Sequence, residues 1–79
     1  MNVKQLKARV VYLARDDAMT YYREHHTALD PDNTDWDGTA WAIIAVKLNL
    51  TSIQYEQLRP TYQKVLIDET RLLMELSGD

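Results

Sequence analysis

A chain of 79 residues that is 46% hydrophobic and 27% charged, with a net charge of −3, has the balance of one folded domain spanning 1–79 and lies well away from the sparse, highly charged composition of disordered chains. The absence of cysteine excludes disulfide frameworks, thiolate metal sites and cysteine nucleophiles, and points to a reducing, cytoplasmic setting. Two glycines cannot build a phosphate-cradling loop, and the longest apolar stretch, 40–46, falls far short of the ~20 residues of a membrane span.

The first predicted element runs from Val3 to about Thr27, free of Pro and Gly. Val3, Leu6, Val10, Leu13, Ala14, Ala18, Tyr21 and Tyr22 recur there at three- and four-residue steps and form one apolar helical stripe. Met1 leads into Lys4 and Lys7 without the apolar core of a signal peptide, so no export segment is expected. Leu29 to Thr34 carries Pro31, Asn33 and two aspartates and reads as a loop. A second helix is predicted from Thr34, whose hydroxyl is placed to cap the amide of Asp37. Its body, Ala40 to Leu48, is apolar almost all round, the pattern of a central buried helix. Thr51 with Gln54 three residues on repeats the capping-box spacing and predicts a short third helix over Ser52–Leu58. Pro60 suits the first turn of a new helix, which then runs from Thr61 to Leu76. With no period-two alternation, the expected fold is all-α: a compact small bundle of three long helices and one short one.

The functional signals are few. Asp30, Asp32, Asp35 and Asp37 fall close together without a base, beside Trp36. Such residues ordinarily cap a helix and solvate a turn, but carboxylates around an aromatic also suit a basic partner, because aromatics anchor interfaces and opposed potentials steer encounter. Asn33, Asp35, Asp37 and Gly38 occupy early positions of a calcium loop, yet its twelfth position, where a bidentate acid is required, is Ile44. No metal or other cofactor is therefore expected. Ile67 and Met74 lie seven apart on the side of the last helix away from its main stripe, a candidate apolar contact with a partner or in a homodimer.

A second reading rests on residues 41–58, where Ile44, Ala45 and Leu48, a turn at Asn49–Thr51, and Tyr55 with Leu58 fit a helix-turn-helix outline. DNA would then meet Ser52, Gln54, Gln57 and Arg59, with Lys4, Lys7 and Arg15 on the phosphates, although the second helix offers no cluster of cations for several phosphates. Charge is unevenly placed: residues 1–15 carry four bases and no acid, and residues 16–79 carry five bases and 12 acids.

Two acids, Asp17 and Glu69, sit within apolar arcs, where each needs a base, a hydroxyl or another acid. Were they to approach each other they would resemble a general acid and base pair; structural pairing is the more frequent outcome. His25 and His26 point about 100° apart on a helix, which suits the negative end of the dipole better than a shared metal. The sequence favours a small, non-enzymatic protein-binding module, an inhibitor or adaptor that occupies a basic surface such as a nucleic-acid-binding one, in the manner of small phage or mobile-element proteins. The alternative is a helix-turn-helix DNA-binding protein reading through residues 52–59.

Overall fold

A computed structural model of the protein describes residues 2–30, 32 and 34–78, the side chains at 34–37 excepted. Among these residues the chain is all-helical, with α1 at Val3–His25, α2 at Thr34–Lys47 and α3 at Ser52–Leu76. α1 opens on a capping box: the Asn2 side chain accepts from the Gln5 amide at 2.8 Å, and the Gln5 side chain accepts from the Asn2 amide at 3.1 Å. It stops at His25, slightly before the expected end, because His26 turns left-handed (φ 55°) and gives its amide to the Tyr22 carbonyl. The His25 ring stacks on Tyr21 and meets the Tyr21 carbonyl at 3.0 Å, placing imidazole at the negative end of the helix as its position implied.

α2 begins at Thr34, where the sequence placed it; the expected Thr34 cap itself lies outside the described residues. Its far end is a Schellman turn. Leu50 donates to the Ala45 carbonyl and Asn49 to that of Val46, with Asn49 at φ 56° in the position glycine usually fills. Asn tolerates this left-handed conformation better than most side chains, so the turn forms without glycine. Thr51 then caps α3 as its spacing foretold, accepting from the Gln54 amide at 3.2 Å while the Gln54 side chain accepts from the Thr51 amide at 3.0 Å.

The expected break at Pro60 does not occur. The short helix over Ser52–Leu58 and the helix after Pro60 are one element, so the bundle has three helices and not three long plus one short. An interior proline costs about 3 kcal/mol through its missing donor and its clash with the preceding turn. Against that, Leu58, Tyr62 and Leu66 form one buried stripe that crosses the proline, and each such side chain contributes about 1.5–3 kcal/mol on burial. Pro60 also lies on the exposed side, where water can serve the carbonyl that loses its donor. Pro60→Ala is therefore expected to stabilise the fold by about 2 kcal/mol, the restored hydrogen bond outweighing the extra freedom of the unfolded chain, as read from urea unfolding followed by circular dichroism.

α1 and α3 make the main helix pair and run parallel, since Arg15 meets Glu69 and, further along both helices, Tyr22 meets Ser77. Leu6, Val10, Ala14, Ala18 and Tyr21 of α1 bury against Leu58, Tyr62, Leu66 and Thr70 of α3. The small side chains at Ala14 and Ala18 allow close helix approach. α2 is the return segment between them, and it buries Trp41, Ile44 and Ala45 on one side only. The expectation of a central helix covered all round is not met: Ile43 and Val46 remain 63% and 82% exposed. Two parallel helices can cover one side of a third, and the molecule, 39 × 23 × 16 Å, has no further layer to cover the other.

Candidate functional site

The parallel pairing turns the charge asymmetry of the sequence into a spatial one. Both N-terminal halves of α1 and α3 lie at one end, which gathers Lys4, Lys7, Arg9 and Arg59 beside the acid Glu56, while Lys47 near the end of α2 lies beside Asp16 and Asp17 of α1. The opposite end receives the loop after α1 and exposes Glu24, Asp30, Asp32, Asp68 and Glu75 beside Arg23 and Arg71. The acidic loop is anchored there. Leu29, 2% exposed, donates its amide to the Thr70 hydroxyl at 2.9 Å, and that hydroxyl donates in turn to the carbonyls of Leu66 and Ile67.

Of the acidic residues singled out from sequence, Asp30 and Asp32 are exposed, and the Asp30 carboxylate accepts from the Asp32 amide at 2.9 Å, a local turn. Asp35, Trp36 and Asp37 fall in the first turn of α2 and their side chains lie outside the described residues. Because Thr34 onward is helical, the resemblance to a calcium loop ends there: residues that such a loop would wrap around an ion belong instead to a helix. Among the described residues no group of three or more His, Asp or Glu is placed to hold a metal.

Ile67 and Met74 do not form an exposed pair. Ile67 packs against the core, and Met74 is half-buried with its carbonyl accepting from Ser77. Exposed apolar side chains lie elsewhere and on every helix: Tyr12 and Met19 on α1, Ile43 and Val46 on α2, and Ile53 and Leu76 on α3. Among the residues proposed to read DNA, Ser52 and Gln57 are exposed, Arg59 is half-buried, and the Gln54 side chain is engaged in the cap. Lys4 and Lys7 are exposed, whereas Arg15 is paired with Glu69 at 3.2 Å. This is a largely solvated ion pair worth at most about 1 kcal/mol.

Glu69 thus finds the base its position required, and Asp17 finds a hydroxyl: Tyr62, fully buried, donates to it at 2.8 Å. The two carboxylates are engaged separately, and the acid pair weighed from sequence does not form. Asp17 borders a cleft of about 230 Å³ lined also by Leu13, Asp16, Ala40, Ile43, Ile44 and Lys47. Burial pushes its carboxyl above the ordinary value of 3.8; the Tyr62 hydroxyl pulls it down, neighbouring Asp16 pushes it up, and Lys47 pulls it down.

A carboxyl raised in the folded state favours folding most below its ordinary value, and that contribution is lost as pH rises through the raised value. At neutral pH the half-buried charge is therefore a net cost. Asp17→Asn keeps an acceptor for Tyr62 and is expected to be more stable than the parent at pH 7, the advantage disappearing as pH falls to about 4. Tyr62→Phe removes a contact that lowers the Asp17 value, so carboxyl titration by NMR should show a further upward shift.

No helix among the described residues is long and apolar enough to cross a membrane. Compared with known protein families, with curated proteins and with solved structures, the chain matches none.

Proposed function

We propose that the chain is a small non-enzymatic protein-binding module that acts by occupying a basic surface of another protein, as an inhibitor or an adaptor. The supporting observation is the segregation of charge along the molecule, with the Asp30–Asp32 loop anchored at the acidic end through Leu29 and Thr70. An acidic end on a rigid helical pair steers a basic partner and fixes its orientation on contact. A phage or mobile-element setting rests on an analogy of small size and net negative charge alone.

The test is affinity capture from a lysate at low and high salt with nuclease treatment, comparing the parent with a variant carrying Asn at Asp30, Asp32, Asp35 and Asp37. The expected result is one nuclease-resistant protein held by the parent and released by the variant. Recovery of nucleic acid alone overturns the reading.

The alternative, a helix-turn-helix DNA-binding protein reading through residues 52–59, draws support from one observation. The Asn49 turn joins α2 to α3 in the expected outline, at the end that gathers Lys4, Lys7 and Arg9. Against it, the exposed start of α3 offers Ile53 and Glu56 where a phosphate-facing helix would carry cations. Anisotropy with a labelled duplex separates the two: salt-sensitive binding lost on Gln57→Ala and Arg59→Ala favours DNA, and no binding at physiological salt favours the protein-binding module.

A further inference from the structure

We propose that the cleft between α1 and α2 is a binding site for a primary alkylammonium group. Its walls are aliphatic, supplied by Leu13 of α1 and by Ile43 and Ile44 of α2, and its charged groups are Asp16 and Asp17 of α1 and Lys47 of α2. At about 230 Å³ it falls below the ~300–1,000 Å³ of pockets that enclose drug-sized molecules. Its occupant is therefore a single side chain or a molecule of that size.

Charge gives the sign of the occupant. Two carboxylates against one ammonium leave the lining with negative charge in excess. Among the described residues Lys47 makes no ion pair with either carboxylate. A monocation completes the balance, whereas an anion would meet the carboxylates and an uncharged apolar molecule would strip them of water. The acceptor then selects the kind of cation. Tyr62 donates to Oδ2 of Asp17 at 2.8 Å, which leaves Oδ1 as the acceptor a ligand can use. A guanidinium is recognised best by a carboxylate with both oxygens open to its fork, while an ammonium is a point charge that needs only one. An alkyl stem along Leu13, Ile43 and Ile44 with its ammonium at Asp17 is how lysine side chains ordinarily bury their methylenes while the charge keeps polar partners. Ile43, 63% exposed, would be covered by that stem.

Asp17 also stands in the cleft at a cost. Its half-buried carboxylate works against the fold at neutral pH, and asparagine in its place would keep an acceptor for Tyr62. Acids held in a cleft under such conditions mark binding sites more often than ordinary surface acids do. An ammonium beside the carboxylate offsets the effect of burial by favouring the charged form. A lysine side chain on another protein and a free aliphatic amine present the same chemistry to the cleft. If the source is a lysine, the cleft adds a second point of attachment for the basic partner, and that extension rests on the function proposed above; the amine site itself does not.

Amide NMR titration with butylammonium chloride at neutral pH, against the same concentration of sodium chloride, tests this. Saturable shifts are expected at Asp16, Asp17, Ile43, Ile44 and Lys47, with a dissociation constant of about 1–10 mM for so small a ligand. Butanol, which has the stem without the charge, should bind about tenfold more weakly or worse, and Asp17→Asn should weaken the amine to a similar degree. Lys47→Gln removes a competing cation at an exposed position and should tighten binding about threefold, a gain that a purely structural part for these groups would not produce. Saturating amine should also carry the Asp17 carboxyl titration to lower pH. Nα-acetyl-lysine methylamide distinguishes the sources: binding as tight as that of butylammonium assigns the cleft to a lysine side chain, and binding of butylammonium alone assigns it to a free amine. Shifts no larger than those with sodium chloride, binding indifferent to Asp17→Asn, or butanol held as tightly as the amine would overturn the site. No lining residue belongs to the Asp30–Asp32 loop, so none of these outcomes bears on capture through it.

Discussion

Trp41→Ala is expected to lower stability by about 3–5 kcal/mol, the range for truncating a buried large aromatic to alanine. A chain of this length has about 4–12 kcal/mol in total, so the variant should give up about a quarter of that or more and show a clearly lower urea midpoint. Trp41 is fully buried and is the largest such side chain, packed between Tyr55 and Tyr62 at ring distances of 5.6 and 5.3 Å. It is where all the elements of the bundle meet: α2 supplies the indole, and Tyr62, which also holds Asp17 of α1, forms one wall. The indole nitrogen has no hydrogen-bond partner in this pocket, and a buried donor left unmade costs about 1–3 kcal/mol. Trp41→Phe removes that donor along with part of the ring, so the two effects oppose each other and the loss should be far smaller than for alanine. Urea unfolding of the pair checks this. A loss below about 1 kcal/mol for Trp41→Ala would mean that α2 is not fastened by this side chain.

The stripes of α1 and the capping box at Thr51 were readable because each depends on residues three or four positions apart, and local spacing is what a sequence displays directly. The same holds for Asn2 and Gln5, three positions apart, whose reciprocal capping box has its signal in the sequence. The continuity of α3 through Pro60 is not legible in the sequence for a physical reason: the cost of the proline is local, and the burial of Leu58, Tyr62 and Leu66 that outweighs it depends on α1 lying alongside. Tertiary packing decided that contest. The parallel course of α1 and α3 was likewise hidden, since α2 returns the chain between them and no local pattern records the direction of helices that are not consecutive. The charge asymmetry is visible along the chain, but only the parallel course shows that Arg59 at the start of α3 joins the basic end. Ile67 and Met74 were assigned outward because the stripe of the last helix was drawn through Leu72 and Leu76, which are 46% and 75% exposed. The buried position at that level is Thr70, a polar residue that hydropathy spacing passes over.

Thr70→Val should cost about 1–3 kcal/mol, although the two side chains have nearly the same shape, because the Leu29 amide would be left buried with no acceptor. The Leu66 and Ile67 carbonyls that now receive the Thr70 hydroxyl lie within α3, where backbone partners remain to them, so the loss falls on the loop. Thr70→Ser keeps the acceptor and gives up one methyl group, about 0.8 kcal/mol of burial. The order expected in chemical denaturation is therefore parent, then serine, then valine; valine as stable as the parent would show that the loop does not depend on this bond. Hydrogen exchange should locate the effect, with the Leu29 amide losing protection in the valine variant while the amides of α1 and α3 keep most of theirs. Asp30 follows Leu29 directly, so the hydroxyl that replaces an apolar group in the stripe of α3 also sets how firmly the acidic loop is presented. If that loop meets a basic partner, the valine variant should bind it more weakly while every carboxylate remains in the chain, because the partner would then have to order a segment that Thr70 now holds in place.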